Sequence, residues 1–382
     1  MRTYDGEKAY LYWLHRIPEI GESRKRKLVE QAGSAEEVYR MPKMCLEEIL
    51  GKNDMEVFLR FTDNWRVWEE YEKLLADNIK IISVFDADYP ERLRKIRGQP
   101  MILYYMGSLP EDDVMSLAII GARECSGYGS YVAKAFAEKL ATAGINIISG
   151  MARGIDGIGQ QAALEAGGST YSVLGCGVDI CYPLANRSLY RQIQEKGGIL
   201  SPYIPGTKPV KTLFPYRNKI VAGLSDAVLV VEARQKSGTL ITADMALEQG
   251  KDVYAVPGRV TDRLSDGCNL MIRQGAGIAL SPEDILAEMA VLKNRKGEYH
   301  KTAGKNKRKE KKKARHSLSP EESSGVMELL DINPRPLEEL LVLAEEKQMD
   351  MTLSQLTFEL IQLCMAGKAR QTGGNYFSRI PN

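Results

Sequence analysis

Three histidines serve the whole chain, His15, His300 and His316. None falls in the strand-rich middle, so a histidine general base and a histidine-containing zinc site are both excluded there. The six cysteines form no Cys-x-x-Cys pair, and Cys176 and Cys181 have no histidine nearby. Such cysteines read as free thiols of a reducing compartment, not as a disulfide or metal framework. The P-loop pattern GxxxxGK[ST] is missing, which removes that class of nucleotide hydrolases. No apolar run approaches the length of a membrane span. The opening segment MRTYDGEKAYLYWLHR scatters charges where a secretory signal carries an apolar stretch. These absences predict a cytoplasmic protein with no membrane contact, no metal and no cofactor.

Net charge is also small, at +2, but it is unevenly spread. Residues 293–316 hold 12 Lys+Arg and 2 Glu, a balance of +10 that leaves −8 on the rest. This stretch has almost no apolar residue to bury, so a disordered basic linker over 293–317 is expected. It either touches a polyanion or is simply solvated. From Leu318 to Asn382 the balance reverses, with 5 Lys+Arg against 10 Asp+Glu.

What is present begins with LAIIGARECSGYG, residues 117–129. Leu117 to Ile120 is too short for a helix and ends in glycine, so a buried strand is expected. Gly121, Gly127 and Gly129 crowd the turn, with Ser126 among them, and helical spacing follows from Tyr131. A strand, a glycine-rich turn and a helix present backbone N–H groups to an anion. The spacing is not GxGxxG, and Arg123 in the turn suits a phosphate fork. Ile145 to Ile148 is a second short strand. It runs into Ser149, Gly150, Met151, Ala152, Arg153, Gly154, Ile155 and Asp156, with a helix expected from about Gly157. Asp156 reads as a helix cap or as a partner for Arg153. Near-continuous apolar strands continue at 172–174, 198–200, 227–231 and 253–256. Helices are expected between them, notably at 216–224 and 240–249. That alternation predicts an α/β fold with a parallel sheet buried on both faces.

Lys211 to Asn218, KTLFPYRN, sets Lys211, Arg217 and Lys219 around Phe214 and Tyr216. Cations for phosphates interleaved with aromatic faces for bases suit a single-strand binder. Packing of Phe214 and Pro215 against the sheet is the competing reading.

Residues 1–80 read as short helices. Leu11 to Leu14, the turn Ile17 to Gly21, and Lys25 to Gln31 have the outline of a helix-hairpin-helix (SAM-like) unit. Its turn amides, helped by Arg24, Lys25, Arg26 and Lys27, would touch a DNA backbone; a purely structural cap explains it equally. Trp65, Trp68 and Tyr71, at i, i+3 and i+6, read as core. After the linker, helices are expected at 321–330, 336–344 and 352–365, with Leu353, Leu356, Leu360 and Leu363 on one face. A hairpin over 369–378 completes a winged helix. Its third helix has no basic residue, so protein interaction suits it better than DNA reading.

Five ordered blocks, SGMARGIDGIGQQAAL, VLGCGVDICYP, FPYRNKIVAGLSDAVLVVEA, SGTLITADMALEQGKDVYAVPG and GCNLMIRQGA, resemble the DNA-processing protein A family (DprA, also called Smf). The resemblance covers roughly Tyr89 to Ala290. It implies an extended Rossmann-like core, and it implies non-enzymatic binding and protection of single-stranded DNA. It further implies loading of the recombinase RecA in natural transformation, and a homodimer. It carries DNA contacts onto Arg123, Lys211, Phe214 and Arg217, and onto Lys236 beside Ser237, Gly238 and Thr239. Two departures stand out: Gln160 replaces the family's usual histidine, and Pro202 replaces its glutamate. The expected organisation is a helical domain at 1–80, a Rossmann-like DNA-binding domain at 81–292, the linker at 293–317 and a winged helix at 318–382. Ile272, Ile278, Leu280, Ile285 and Leu286 are the expected dimer surface. The competing function is a nucleotide-processing enzyme of the lysine-decarboxylase-like phosphoribohydrolase type, with Glu232 ahead of the Ser237-Gly238-Thr239 turn.

Overall fold

The computed structural model describes residues 3–294 and, beyond them, 324–327, 329–331, 335–347, 349, 353–365, 368–372 and 376–380. They fall into two compact units, 1–299 and 300–382. Apart from Lys293 and Asn294, the expected basic linker lies outside the described residues. No helix among the described residues is long and apolar enough to cross a membrane.

The first unit is built on a nine-stranded sheet. Its strands are β1 (Lys80–Ser83), β2 (Ile102–Gly107), β3 (Ser116–Ile120), β4 (Asn146–Ser149), β5 (Thr170–Val173), β6 (Gly197–Ser201), β7 (Ala227–Val230), β8 (Asp252–Ala255) and β9 (Gly277–Ile278). Their spatial order is β1-β2-β6-β5-β4-β3-β7-β8-β9. All residues of β3 to β7 are buried. Alternation sends Leu117 and Ile119 to one face and Ala118 and Ile120 to the other, each into its own apolar cluster. Helices Gly127–Thr142 and Ile155–Glu165 supply one cover, and Phe214–Leu224 and Gly238–Glu248 the other.

The expectation of a parallel sheet is corrected at one edge. β2 pairs antiparallel with β6, and β1 antiparallel with β2. The chain between β1 and β2 holds only the one-turn helix Glu91–Arg94, so it returns without the crossover that a parallel neighbour needs. Along the parallel part, β3 is followed outward by β4, β5 and β6 on one side, and on the other by β7, β8 and β9. The order reverses at the β3–β7 seam. In open α/β sheets ligands bind in the crevice beyond the strand carboxyl ends at that point.

The helices Thr3–Arg16, Glu22–Ala32, Ala35–Tyr39, Lys43–Leu50, Lys52–Asn64 and Val67–Ala76 share one apolar cluster with the sheet. Trp13 is fully buried, edge-on to Tyr39 at 4.9 Å and Phe58 at 5.2 Å. Of the expected core triple, Tyr71 is buried, Trp65 half-buried and Trp68 48% exposed. The helix Val67–Ala76 turns Tyr71 and Leu74 inward instead. The expected DNA-binding turn keeps few free cations. Lys25 is buried and donates to the carbonyls of His15 (2.8 Å) and Ile17 (2.5 Å). Arg24 pairs with Asp54, and Arg26 donates to the Gln99 carbonyl. Loss of water from Lys25 lowers its pKa to about 8. These groups hold the helices together, which is the structural alternative for this turn.

The second unit has helices Ser324–Met327, Leu337–Glu346 and Leu353–Met365, and strands β10 (Arg335–Pro336), β11 (Ala369–Thr372) and β12 (Tyr376–Arg379). The strands form an antiparallel sheet in the order β10-β12-β11. Leu356, Leu360 and Leu363 bury their face in the cluster that includes Phe377.

Candidate nucleic-acid interface

A cleft of about 510 Å³ opens at the β3–β7 seam. Four segments bring expected residues to it. The turn after β3 supplies Gly121 and Arg123, and the turn after β4 supplies Gly150. The helix Phe214–Leu224 and the residues before it supply Lys211, Phe214, Arg217 and Asn218. The start of helix Gly238–Glu248 supplies Ser237, Gly238 and Thr239. Ser126, Gly127, Gly129, Ser149, Arg153, Gly154 and Lys236 do not line it.

The first turn closes on itself. Ser126 caps helix Gly127–Thr142, its Oγ accepting from Gly129 N at 3.0 Å. Glu232, after β7, is 3% exposed and fills the space beyond. Its carboxylate accepts from Ser126 N at 2.9 Å and from Ser126 Oγ at 2.5 Å. A side chain at Gly129 would collide with that carboxylate. The anion expected at this helix start is therefore part of the protein. Glu232 is also withdrawn from the role of catalytic glutamate that the phosphoribohydrolase reading gives it.

The second turn is braced against the first. Gly154 has φ 73°, and a side chain there would strike the carbonyls of Ala122 and Arg123. Ile155 N donates to Ala122 O at 3.2 Å, and Ser149 Oγ to Ile119 O at 2.7 Å. Ser149 and Gly154 thus hold β3 and β4 in register, while Arg153 is exposed outside the cleft. Gln160 is fully buried beneath this turn. Its Oε1 accepts from Met151 N at 3.1 Å, and its Nε2 donates to Thr170 Oγ1, Tyr171 O and Ser172 Oγ. The departure from histidine therefore touches the cleft only through the backbone it supports. Pro202 is buried just after β6 and does not line the cleft.

Arg217 and Asp156 form the floor. Arg217 is 5% exposed, and its Nη1 donates to Gly150 O and Val173 O, each at 2.6 Å. Its Nε donates to Asn218 Oδ1 at 2.9 Å. Asp156 accepts from Gly150 N at 3.2 Å, so it serves this floor and not Arg153. Burial raises the Asp156 pKa, and Arg217 opposes that rise. Burial also lowers the Arg217 pKa, with Asp156 pulling it back and Arg123 adding to the lowering. Arg217 thus braces the floor through Nη1 and Nε while it also lines the cleft.

Above this floor the groups are free. Phe214 is half-buried, with the guanidinium carbon of Arg217 5.3 Å and that of Arg123 5.7 Å from its ring centre. Arg123, Lys211 and Arg234 are exposed and form no ion pair among the described residues. Arg234 was not anticipated; its signal was its place just past the carboxyl end of β7. Tyr216 and Lys219 lie on the other side of their helix, beside Gly98. Helix Gly238–Glu248 starts with no side-chain cap, and the buried Ser237 Oγ has no hydrogen-bond partner among the described residues. Thr239 Oγ1 donates to Gly121 O at 3.2 Å, tying that start to the first turn.

Residues 80–290 match the family model described as DNA recombination-mediator protein A. The chain belongs to this family. It is 42% identical over 226 residues to the DNA processing protein DprA of Streptococcus pneumoniae, covering 59% of this chain and 78% of the relative. The X-ray structure of the DprA from Streptococcus pneumoniae superposes with a TM-score of 0.65 at 33% identity, over 73% of this chain and 97% of that one. A Helicobacter pylori DNA processing protein A structure, described by its single-stranded DNA binding mode, gives 0.50 at 29% identity, over 56% and 95%.

Of the expected dimer surface, Ile285 is fully buried in the core, and Ile272 and Leu286 are partly buried. Ile278 and Leu280 remain, 51% and 75% exposed.

Proposed function

We propose that the cleft binds single-stranded DNA without acting on it chemically. The observation that carries this reading is Phe214, a half-exposed ring flanked by two guanidiniums in a cleft at the sheet's switch point. A base can stack on the ring while Arg123, Lys211 and Arg234 meet phosphates. The uncapped start of helix Gly238–Glu248, with Ser237 Oγ and its backbone N–H groups, suits a further phosphate oxygen. Duplex DNA cannot offer an unstacked base to Phe214, so single strands bind more tightly. The related protein from Helicobacter pylori, described by its single-stranded DNA binding mode, supports the same reading.

From family membership we further propose that the bound strand is protected and handed to RecA in natural transformation. Two copies acting together raise the effective concentration of a short site, so a homodimer fits. The domains proposed are 1–80, 81–292, a basic linker at 293–317 and a winged helix at 318–382. The acidic balance of the last favours protein contact. Titration of fluorescent oligo-dT and of blunt duplex at two salt concentrations tests the core of this reading. Tighter binding of oligo-dT, weakened by salt, is expected; equal affinity for both would refute the stacking role of Phe214.

A further inference from the structure

A second aromatic ring stands next to Phe214. Tyr182, in the loop after β5, has its ring centre 6.1 Å from that of Phe214, tilted by 52°. It is 44% exposed, and its hydroxyl makes no hydrogen bond among the described residues. A tyrosine kept for the core would be buried and bonded. This one is held outward by a loop fixed at several points. Asn186 Nδ2 donates to Met151 O at 2.9 Å and Ala152 O at 3.2 Å, and Asn186 N donates to Pro183 O at 3.0 Å. Asp179 accepts from Gly206 N at 2.9 Å. The ring is thus presented from a stiff support, which reduces the ordering cost of binding.

Two arginines stand on the segments that Asn186 ties together. Arg153 directly follows Ala152, and Arg187 directly follows Asn186, so the bond between those segments brings both arginines to the same edge. Both are exposed, and neither makes an ion pair among the described residues. Arg153 is one of the two expected cations, with Lys236, that do not line the cleft.

We propose that Tyr182 is a second base-stacking platform, with Arg153 and Arg187 taking the phosphates of a strand that leaves the cleft across the carboxyl ends of β4 and β5. This rests on the single-strand reading of the cleft. The strand then stacks one base on Phe214 and a further base on Tyr182, and the arginines neutralise the backbone between and beyond them.

The test measures binding of oligo-dT of about 4 and about 16 nucleotides to the full chain. Tyr182→Ala is expected to weaken the longer ligand about tenfold and the shorter one little, while Tyr182→Phe keeps both. Phe214→Ala is expected to weaken both lengths, and Arg187→Ala to lower the salt dependence of the longer one only. Tyr182→Ala binding both lengths as the wild type does would overturn the proposal with the cleft reading intact. Equal weakening of both lengths would also overturn it, by making Tyr182 part of the cleft wall. A wild type that prefers neither oligonucleotide over duplex would remove the cleft reading and this one together. Photocrosslinking of the unaltered protein to 5-iododeoxyuridine oligonucleotides gives an independent measure. Adducts at Tyr182 are expected, and adducts confined to Phe214 overturn the proposal.

Discussion

Two of the helices that begin at the carboxyl edge of the sheet, those after β3 and β7, meet opposite fates. Helix Gly127–Thr142 is capped by Ser126, and the protein's own Glu232 carboxylate lies against that cap. Helix Gly238–Glu248 starts without a side-chain cap, next to exposed Arg234, which forms no ion pair among the described residues. Both have glycine and serine at the turn, so composition does not separate them. What separates them is a buried carboxylate supplied from the segment after β7. Helix starts attract anions in general; here one attraction is satisfied from inside and the other is turned toward the cleft.

The same contrast between groups used internally and groups left free divides the arginines, and it predicts the largest effect. Arg217→Ala removes three hydrogen bonds of a buried guanidinium, and with them its favourable charge effect on buried Asp156. The Gly150 and Val173 carbonyls lose a buried donor, at a cost of about 1–3 kcal/mol each. Chemical denaturation should show that loss, while Arg123→Ala, being exposed, should leave stability within about 0.5 kcal/mol. If Arg217→Ala were as stable as Arg123→Ala, the division would fail.

Glu232→Ala comes next, because it reopens the closed helix start. Half-buried Ser126 loses from N and Oγ two hydrogen bonds to a charged acceptor, at a cost of about 1.5–3 kcal/mol. Added phosphate should recover part of that stability in the variant and add less to the wild type, since it supplies the missing anion. Identical melting curves for variant and wild type, with and without phosphate, would show that Glu232 is not what closes this site.

Much of this architecture was legible in the chain. Runs such as Leu117–Ile120 and Ala227–Val230 could only be buried strands, and the glycine turns marked their carboxyl ends. Residues 101–105 were legible as a strand too, but β1 was harder, because Lys80–Ser83 is short and its partner β2 is itself placed by pairing with the distant β6. In the cleft, Arg123, Lys211 and Phe214 could be named from interleaved cations and aromatics. The same logic included Arg217, Lys219 and Tyr216, because local spacing does not say which side of a helix faces the interior. Glu232 capping Ser126 across 106 residues left no local trace, and neither did the approach of Tyr182 to Phe214.

Phe214→Ala tests the free side of the contrast in binding. Losing one stacked base costs about 1–3 kcal/mol in affinity for oligo-dT. The salt dependence should stay unchanged, because no phosphate contact is removed. The ring also packs on Gly175, so stability has to be measured alongside. A variant that unfolds would assign Phe214 to the core, and a folded variant with undiminished affinity would remove the stacking platform.

The smallest effect belongs to the cations beside the uncapped helix. Arg234→Ala deletes one exposed guanidinium that touches no acidic partner among the described residues. Each phosphate contact on a single strand contributes about 0.7 to the slope of log affinity against log salt. The slope should therefore flatten by about that amount, with affinity at high salt almost unchanged and stability unmoved. Lys27→Ala provides the matched control. It removes an exposed cation of the same charge from the N-terminal helices, far in sequence from the cleft. If the two substitutions flatten the slope equally, the strand is held by the protein's overall field. If only Arg234→Ala does so, the uncapped helix start holds a phosphate.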